Sequence, residues 1–315
     1  MDKILIIGGL GQIGSDLIVE LNKTYKRENI IATDVCSNPS EKILNASLFE
    51  QLNITDFKGI SNIVDKYKID IIINLAAILS ANGEKNPMLA WDINMNGLIN
   101  VLEIAREKNL KQVLTPSSIA AFGPETPKEN TPQETILRPS TMYGITKVAG
   151  ELLGNYYFKK YNLDVRGLRY PGIISYETLP GGGTTDYAVA IYYDAIKYKK
   201  YTCFVNEETK LPMMYMPDCL KATVDLMHAD VNKLRYHADY NVGSMSFSVK
   251  ELANSIKKYI PEFEIEYKPD YRQAIADSWP DSIDDSAARR DWNWNPSYDL
   301  DSMTKDMLEK ISAKQ

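Results

Sequence analysis

Ile4-Leu5-Ile6-Ile7-Gly8-Gly9-Leu10-Gly11-Gln12-Ile13-Gly14 opens the chain as an apolar run that breaks into glycines at positions 8, 11 and 14. A run of this kind predicts a buried parallel strand that reverses sharply into a helix. The glycines let the turn backbone come within touching distance of an anion, because a Cβ at Gly8 or Gly11 would obstruct it. The helix beginning at Gln12 and Ile13 aims its free N–H groups and the positive end of its dipole at the same point. Gly14 lets that helix pack closely on the strand. The turn therefore reads as a holder for a dinucleotide pyrophosphate, although ordinary strand-to-helix turns also carry glycines.

The next apolar run, Ile30-Ile31-Ala32-Thr33, ends at Asp34. Its offset from the glycines, about 20 residues, is that of the carboxylate that accepts the adenosine ribose hydroxyls. An acid there repels a 2′-phosphate, and no Arg or Lys follows it before Lys42. The cofactor expected is NAD rather than NADP.

At 315 residues with a net charge of −6, the chain is long enough for a substantial core and gives no reason to expect a nucleic acid or an anionic membrane as partner. The longest apolar run, Ile69 to Leu79, is broken by Asp70 and Asn74 and falls short of the roughly 20 residues that cross a bilayer. The N-terminus enters the first strand without a signal-peptide pattern, so a cytoplasmic location is expected. Cys36, Cys203 and Cys219 lie far apart, and His228 and His237 sit near no other ligand type. Neither a disulfide framework, a metal site nor a histidine-based triad is expected.

The first half alternates short apolar runs with helical stretches, which predicts an α/β fold with a doubly wound parallel sheet. Strands are expected at Lys3–Ile7, Ile30–Asp34, Ile69–Asn74, Gln112–Pro116 and Asp164–Leu168. Helices are expected near Ile13–Thr24, Asp56–Tyr67, Pro87–Lys108 and Met142–Tyr161, with Asn86 capping the third. After Tyr170-Pro171-Gly172 the pattern changes. Pro180-Gly181-Gly182-Gly183 interrupts the chain before a helix from about Asp186 to Lys199, and Ser248 with Glu251 reads as a capping box. The expected division is a dinucleotide-binding domain over 1–172, with about 216–245 returning to it, and a smaller α+β substrate lobe over 173–215 and 246–315.

Ligand should lie at the carboxyl ends of the strands. There the chain places Ser118, just after the strand Gln112–Pro116, and Tyr143 with Lys147 at the start of the following helix. Tyr143 and Lys147, four residues apart, share one helix face. A neighbouring ammonium favours the phenolate, and such a tyrosine can take an alcohol proton as hydride leaves the same carbon. Ser118 is placed to hydrogen-bond the reacting oxygen. The same spacing recurs at Tyr156/Lys160 and Tyr193/Lys197, where position favours surface or packing pairs.

The glycine triplet, Asp34, Asn74-Leu75-Ala76-Ala77, Asn94, Ser118 and Tyr143/Lys147 together resemble the extended short-chain dehydrogenase/reductase superfamily along the whole chain. The resemblance implies that Gln12 and Ile13 lie on the NAD pyrophosphate, Asp34 on the adenosine ribose and Asn53-Ile54 at the adenine. It also puts Leu75 and Ala77 along the nicotinamide half and Lys147 on the nicotinamide ribose, with Asn94, Tyr143 and Tyr170 among the cofactor contacts. Asn53 departs from the usual Asp. A homodimer through the helices Pro87–Lys108 and Met142–Tyr161 is likewise implied.

Within the superfamily, four stretches look most like the short-chain L-threonine dehydrogenases: Leu79-Ser80-Ala81, Leu168 to Ser175, Pro180 to Ala188 and Trp279 to Trp292. That resemblance implies NAD-dependent oxidation of the L-threonine β-hydroxyl to 2-amino-3-oxobutyrate. Ser80, Thr185 and Trp279 would then line the substrate pocket with Ser118 and Tyr143. Gly181 to Gly183 suit either a nest of N–H groups for a carboxylate or a hinge. Thr184 or Thr185 suits a helix cap, Trp279 suits simple packing, and Arg169 and Arg290 suit either a substrate carboxylate or pairing with Asp residues. The rival enzyme reading is a nucleotide-sugar epimerase or dehydratase, which would carry an Asn where Pro171-Gly172 stands. A non-catalytic NAD sensor would be expected to lack Tyr143 or Lys147.

Overall fold

Consecutive isoleucines dictate the centre of the molecule. In the computed structural model, which describes residues 1–179 and 181–314, β1 (Ile4–Ile7) is buried along its whole length. It is flanked by β2 (Ile30–Asp34) and, beyond that, by β3 (Leu48–Gln51). On its other side lie β4 (Ile71–Asn74) and β5 (Gln112–Leu114). After β6 (Ser117–Ser118) and the long helix Met142–Tyr161 comes β7 (Asp164–Arg166), which closes a six-stranded parallel sheet of order β3-β2-β1-β4-β5-β7. Residues that bury both faces of a strand leave it no polar side, and parallel pairing covered by helices is the arrangement that tolerates this. The α/β doubly wound sheet is thus present, with the strand order reversing beside β1.

β5 and β7, neighbours at one end of this sheet, are each interrupted and then resume still paired with one another. Thr115 and Pro116 interrupt β5 and β6, and Pro116 has no N–H to give to a ladder. Gly167 separates β7 from β8 (Leu168–Tyr170), donating to the His237 carbonyl at 2.8 Å and accepting from the Tyr240 N–H at 3.1 Å. A Cβ there would stand 2.4 Å from the Ala238 carbonyl oxygen.

Downstream, β9 (Gly172–Ile174), β10 (Lys200–Cys203) and β11 (Lys210–Tyr215) precede β12 (Tyr240–Asn241), β13 (Met245–Ser248) and β14 (Glu264–Tyr267). β12 pairs in parallel with β8, which also pairs with β6. β13, β11 and β9 form one small sheet and β10 with β14 another. The apolar side chains gather into two clusters on the faces of the main sheet and a third under the small sheets, which also reaches Ile119, Phe122 and Tyr143.

Several local expectations are revised. β3 has no apolar run to announce it, being a half-exposed edge strand with Glu50 in its middle. The stretch Pro87–Lys108 is helix Pro87–Trp91, a π-helical turn Asp92–Asn96 and helix Gly97–Glu107. Asn86 does not cap it through its side chain, because Asn86 also ends the helix Ser80–Lys85 and offers only its carbonyl, to the Ala90 N–H. The capping box of Ser248 and Glu251 is present in both directions, at 3.2 and 2.7 Å.

Candidate functional site

The glycine turn is built as tightly as its spacing suggests, but its three glycines answer to different constraints. Gly8 has φ +83°, and a Cβ there would lie 2.7 Å from the Ala76 nitrogen, in the loop after β4. Gly14 packs the helix Gln12–Asn22 on the turn, with only 2.3 Å between a notional Cβ and the Gly8 carbonyl oxygen. Gly11 is different. A Cβ would meet only the Gly8 oxygen, at 3.3 Å. The protein's own packing barely requires glycine at this position, so the requirement fits something that approaches from the cleft, as a pyrophosphate would.

Asp34 braces the turn. Its carboxylate accepts from the Leu10 N–H at 3.0 Å and the Cys36 N–H at 3.1 Å. Lys42, the first cation after it, is engaged elsewhere, by Asp16 at 3.2 Å and Glu177 at 3.5 Å. Nothing basic on that segment therefore offsets Asp34, in keeping with an unphosphorylated adenosine ribose.

Most of the expected site residues line one cleft of about 250 Å³ at the carboxyl ends of the strands. Gly8, Gly11, Gln12, Ile13, Gly14, Leu75 and Ala77 form one wall, and Ser118, Tyr143, Lys147 and Tyr170 its floor; Ser80, Thr185 and Trp279 close it. Asp34 and Asn53 do not line this cleft. Asn53 borders a separate open depression of about 430 Å³ with Val35 and Gln51, its amide oxygen taken by the Thr55 N–H at 3.1 Å. The Ile54 side chain is buried against Gly97, so of this pair only Asn53 is presented at the surface.

Asn94, in the π-helical turn, spends its amide on the protein. It accepts from the Ile78 N–H at 2.8 Å and donates to the Ile78 carbonyl at 3.1 Å and Thr146 Oγ1 at 3.2 Å. It thereby pins the loop that carries Leu75 and Ala77 to the Tyr143 helix.

Tyr143 and Lys147 share a helix face, with the Lys147 Nζ 5.4 Å from the centre of the Tyr143 ring. The expected lowering of the phenol by the ammonium is not what this arrangement produces. Burial pushes Tyr143 up to about 12, opposed only by a hydrogen bond with Ser118. Burial also pulls Lys147 down to about 8, opposed by the Glu151 carboxylate. The ammonium donates to the Pro116 carbonyl at 2.7 Å instead. Ser118 Oγ accepts from the Ala120 N–H at 3.2 Å, which holds the hydroxyl at the cleft floor. The other two Tyr/Lys pairs lie apart: Lys160 meets the Tyr156 hydroxyl at an exposed position, and the Tyr193 hydroxyl donates to the Tyr176 carbonyl.

On the opposite wall, Ser80 Oγ and Thr184 Oγ1 are 3.1 Å apart. Neither Thr184 nor Thr185 caps the helix Tyr187–Tyr198 with its side chain. The glycine run does not offer a free nest either, because the Gly182 and Gly183 N–H groups, at 2.7 and 2.8 Å, are taken by Asp186. Pro180 lies outside the described residues. Trp279 is buried among the lobe's apolar side chains and faces the cleft, its carbonyl held by the Lys128 ammonium at 2.6 Å.

Asp186 and Glu151 escaped the sequence reading, which left Arg169 and Arg290 between a substrate carboxylate and pairing with Asp residues. Asp186 is the one carboxylate among the described residues of the cleft lining, and burial holds it above the usual carboxylate range against the pull of the Gly183 and Gly182 N–H groups. Arg169 meets no cleft at all. It is 2% exposed and bonds Glu151 twice, at 2.9 and 2.8 Å. Arg290 pairs with Asp291 at 3.2 Å. Glu151 had a visible signal, since it follows Lys147 by four residues on the same helix.

A strand-to-helix glycine turn and a Ser/Tyr/Lys set on one parallel-sheet cleft define an extended short-chain dehydrogenase/reductase. The chain belongs to the NAD dependent epimerase/dehydratase family, whose model matches residues 4–243. It is 48% identical to an uncharacterised epimerase/dehydratase of Staphylococcus haemolyticus, over 100% of this chain and 99% of that one. Among solved structures it is similar to an L-threonine dehydrogenase from Clostridium difficile, with a TM-score of 0.97 and 55% identity over 100% of this chain and 98% of that one. It is also similar to a monomeric L-threonine 3-dehydrogenase from a metagenome, with a TM-score of 0.95 and 50% identity over 99% and 100% of the two chains.

Proposed function

We propose that this protein oxidises the β-hydroxyl of L-threonine to 2-amino-3-oxobutyrate with NAD as acceptor. The observation that carries the reading is the composition of one small cleft. Ser118, Tyr143 and Lys147 lie at its floor, the glycine turn forms one wall, and Ser80, Thr185 and Trp279 close the other. Similarity to L-threonine dehydrogenases over full length supports the choice of substrate. When bound, NAD would supply the hydride acceptor and, in its oxidised form, a positively charged ring. Gln12, Ile13 and Gly14 would hold the pyrophosphate, Asp34 and Asn53 the adenosine half, Leu75, Ala77 and Tyr170 the nicotinamide side, and Lys147 its ribose.

In this reading Ser118 donates to the substrate oxygen and Tyr143 takes the hydroxyl proton as the C–H bond gives up its hydride. Lys147 keeps positive charge beneath the tyrosine so that the phenolate is accessible despite burial. Asp186 faces the substrate ammonium, and Trp279 with Thr185 covers the methyl end and keeps water out. The cofactor-binding body comprises residues 1–172 with 216–245, and the remainder forms the substrate lobe.

We propose a homodimer in the cytoplasm. Ile145, Leu152 and Tyr156 form an exposed apolar stripe on one face of the Tyr143 helix, beside exposed Met88, Leu89, Trp91 and Ile99. All three cysteines are free thiols, as a reducing compartment keeps them.

The test is absorbance near 340 nm with purified protein, NAD and L-threonine. NADH formation with threonine and none in the same buffer without threonine is expected. Turnover of a uridine diphosphate sugar with no NADH from threonine would hand the site to the epimerase reading, and NAD binding without either turnover would favour a sensor.

A further inference from the structure

Glu151 lies one helical turn beyond Lys147, on the side away from the cleft, and is 3% exposed. A carboxylate that deep is costly unless its oxygens are filled. Here they are: Ser117 Oγ donates at 2.5 Å, and the Arg169 guanidinium donates from Nε at 2.9 Å and from Nη2 at 2.8 Å. Arg169 is fixed in turn by the Gln133 carbonyl and Asn241 Oδ1, each at 3.0 Å, and approaches Asp239 at 3.8 Å. Lys147, Glu151, Arg169 and Asp239 thus alternate in sign from the cleft floor into the body.

A small polar cavity of about 20 Å³ joins the first two members, lined by Asn74, Asn94, Thr115, Ser117, Thr146, Lys147 and Glu151. It is large enough for one water. Lys147 lines both this cavity and the main cleft, as do Asn74, Ala77, Pro116 and Ser117, so it belongs to the wall between them.

We propose that Glu151 is a positioning residue for Lys147: locked by Ser117 and Arg169, its carboxylate is the fixed countercharge that keeps the buried ammonium protonated and seated on the Pro116 carbonyl. The alternatives around Lys147 are few. On its own helix the titratable neighbours are Tyr143 and Glu151, and elsewhere on the cleft lining stand Tyr170, on β8, and Asp186. β4, β6 and the π-helical turn contribute only the neutral Asn74, Ser117 and Asn94. Arg169 and Asp239 act from behind Glu151. Of all these, Glu151 is the group whose charge opposes the desolvation of Lys147. Ser117 matters because it adjoins both Pro116, which receives the Lys147 proton donor, and Ser118. One short strand segment therefore sets the carboxylate, the ammonium and the catalytic hydroxyl relative to one another.

The inference concerns the protonation of Lys147 itself and stands whether or not threonine is the substrate. It is tested on the cofactor-free protein labelled with [13Cε]lysine, in which the Lys147 resonance is assigned by its loss in Lys147→Met. Glu151→Gln keeps the shape and removes the charge. It is expected to move the Lys147 titration to lower pH by about one unit, a tenfold change in its ionisation constant. NADH affinity, read by fluorescence, should then weaken at a correspondingly lower pH. Glu151→Asp, which keeps the charge but draws it one methylene back from Lys147, should also lower the midpoint, by less than Glu151→Gln does. Ser117→Ala, which removes a hydrogen bond and no charge, should leave the midpoint within a few tenths of wild type. If Glu151→Gln does not fold, Glu151→Asp decides, because it should still move the midpoint measurably downward. A folded Glu151→Gln, or in its absence a folded Glu151→Asp, that titrates with the wild type overturns the proposal.

Discussion

Lys147 gives its ammonium proton to the carbonyl of Pro116 at 2.7 Å and not to the Tyr143 phenol. The bond ties the Tyr143 helix to the end of the strand that carries Ser118, so the hydroxyl and the phenol are held by a contact neither of them makes. It also leaves Lys147 below the Tyr143 ring as a source of positive potential, 5.4 Å from its centre. An ammonium in that place acts on the phenol through charge, and its protonation state becomes a property on which the whole site depends.

Burial of that ammonium makes stability depend on pH. Lys147 is lowered from 10.5 to about 8 in the folded chain. Below pH 8 both folded and unfolded states hold the proton, and the desolvation cost is present in full. Between about 8 and 10.5 the unfolded chain binds more protons, so stability rises with pH as the folded state releases its own. Tyr143, raised to about 12, works in the opposite direction but only above its unfolded value of 10. Urea unfolding of wild type and Lys147→Met at pH 7.0 and 9.5 isolates the first effect. The stability difference should move by about 2 kcal/mol in favour of wild type at the higher pH; a gap independent of pH would show that Lys147 is not desolvated as described.

Tyr143→Phe removes the proton acceptor and keeps the ring that packs with Ile119 and Phe122. The loss of a positioned acid–base group typically costs on the order of 10²–10⁴ in rate. Turnover with threonine should fall by that much while NADH binding and the melting temperature stay close to wild type. Retained turnover would remove Tyr143 from the chemistry altogether.

The fold and the cleft floor were legible in the sequence for one physical reason: they rest on local constraints. Gly8 must take a positive φ, Ile4 to Ile7 must be buried on both faces, and residues four apart on a helix must share a face. What escaped prediction depends on packing and loop conformation, which residue spacing does not encode. The nest expected of the three glycines is filled by Asp186, a short-range event but one that depends on the loop's fold. Arg169 turned inward because Glu151, eighteen residues away, is waiting in the core. The phenol's environment follows from the depth of burial, which spacing does not encode. β3 was missed because an edge strand needs no apolar run.

Leu152 is 65% exposed in the middle of the Tyr143 helix, with Ile145 seven residues before it and Tyr156 four after. An apolar stripe of this kind on a long helix is expected to meet another surface. Wild type should run as a dimer by light scattering at micromolar concentration, and Leu152→Glu should run as a monomer, because two carboxylates would be buried across a two-fold axis. A monomeric wild type would leave the stripe unpartnered and end the dimer proposal.

Two alanines separate what the glycine turn does for the fold from what it does for the ligand. At Gly14 a new Cβ would stand 2.3 Å from the Gly8 oxygen and 2.9 Å from the Gly9 Cα, both backbone atoms that cannot step aside. Gly14→Ala should therefore force the helix off the strand and lower stability by a few kcal/mol, as overpacking of a rigid contact does. At Gly11 the new Cβ meets only one oxygen, at 3.3 Å. The residue precedes the helix with φ −71°, a conformation open to alanine. Gly11→Ala should fold with a melting temperature near that of wild type. Its NADH affinity, measured by fluorescence titration, should nevertheless fall about tenfold or more, because the methyl group occupies the space through which phosphate oxygens reach the turn. Unchanged affinity in a folded Gly11→Ala would mean that the pyrophosphate does not rest on this turn. The glycine spacing would then be a packing device alone.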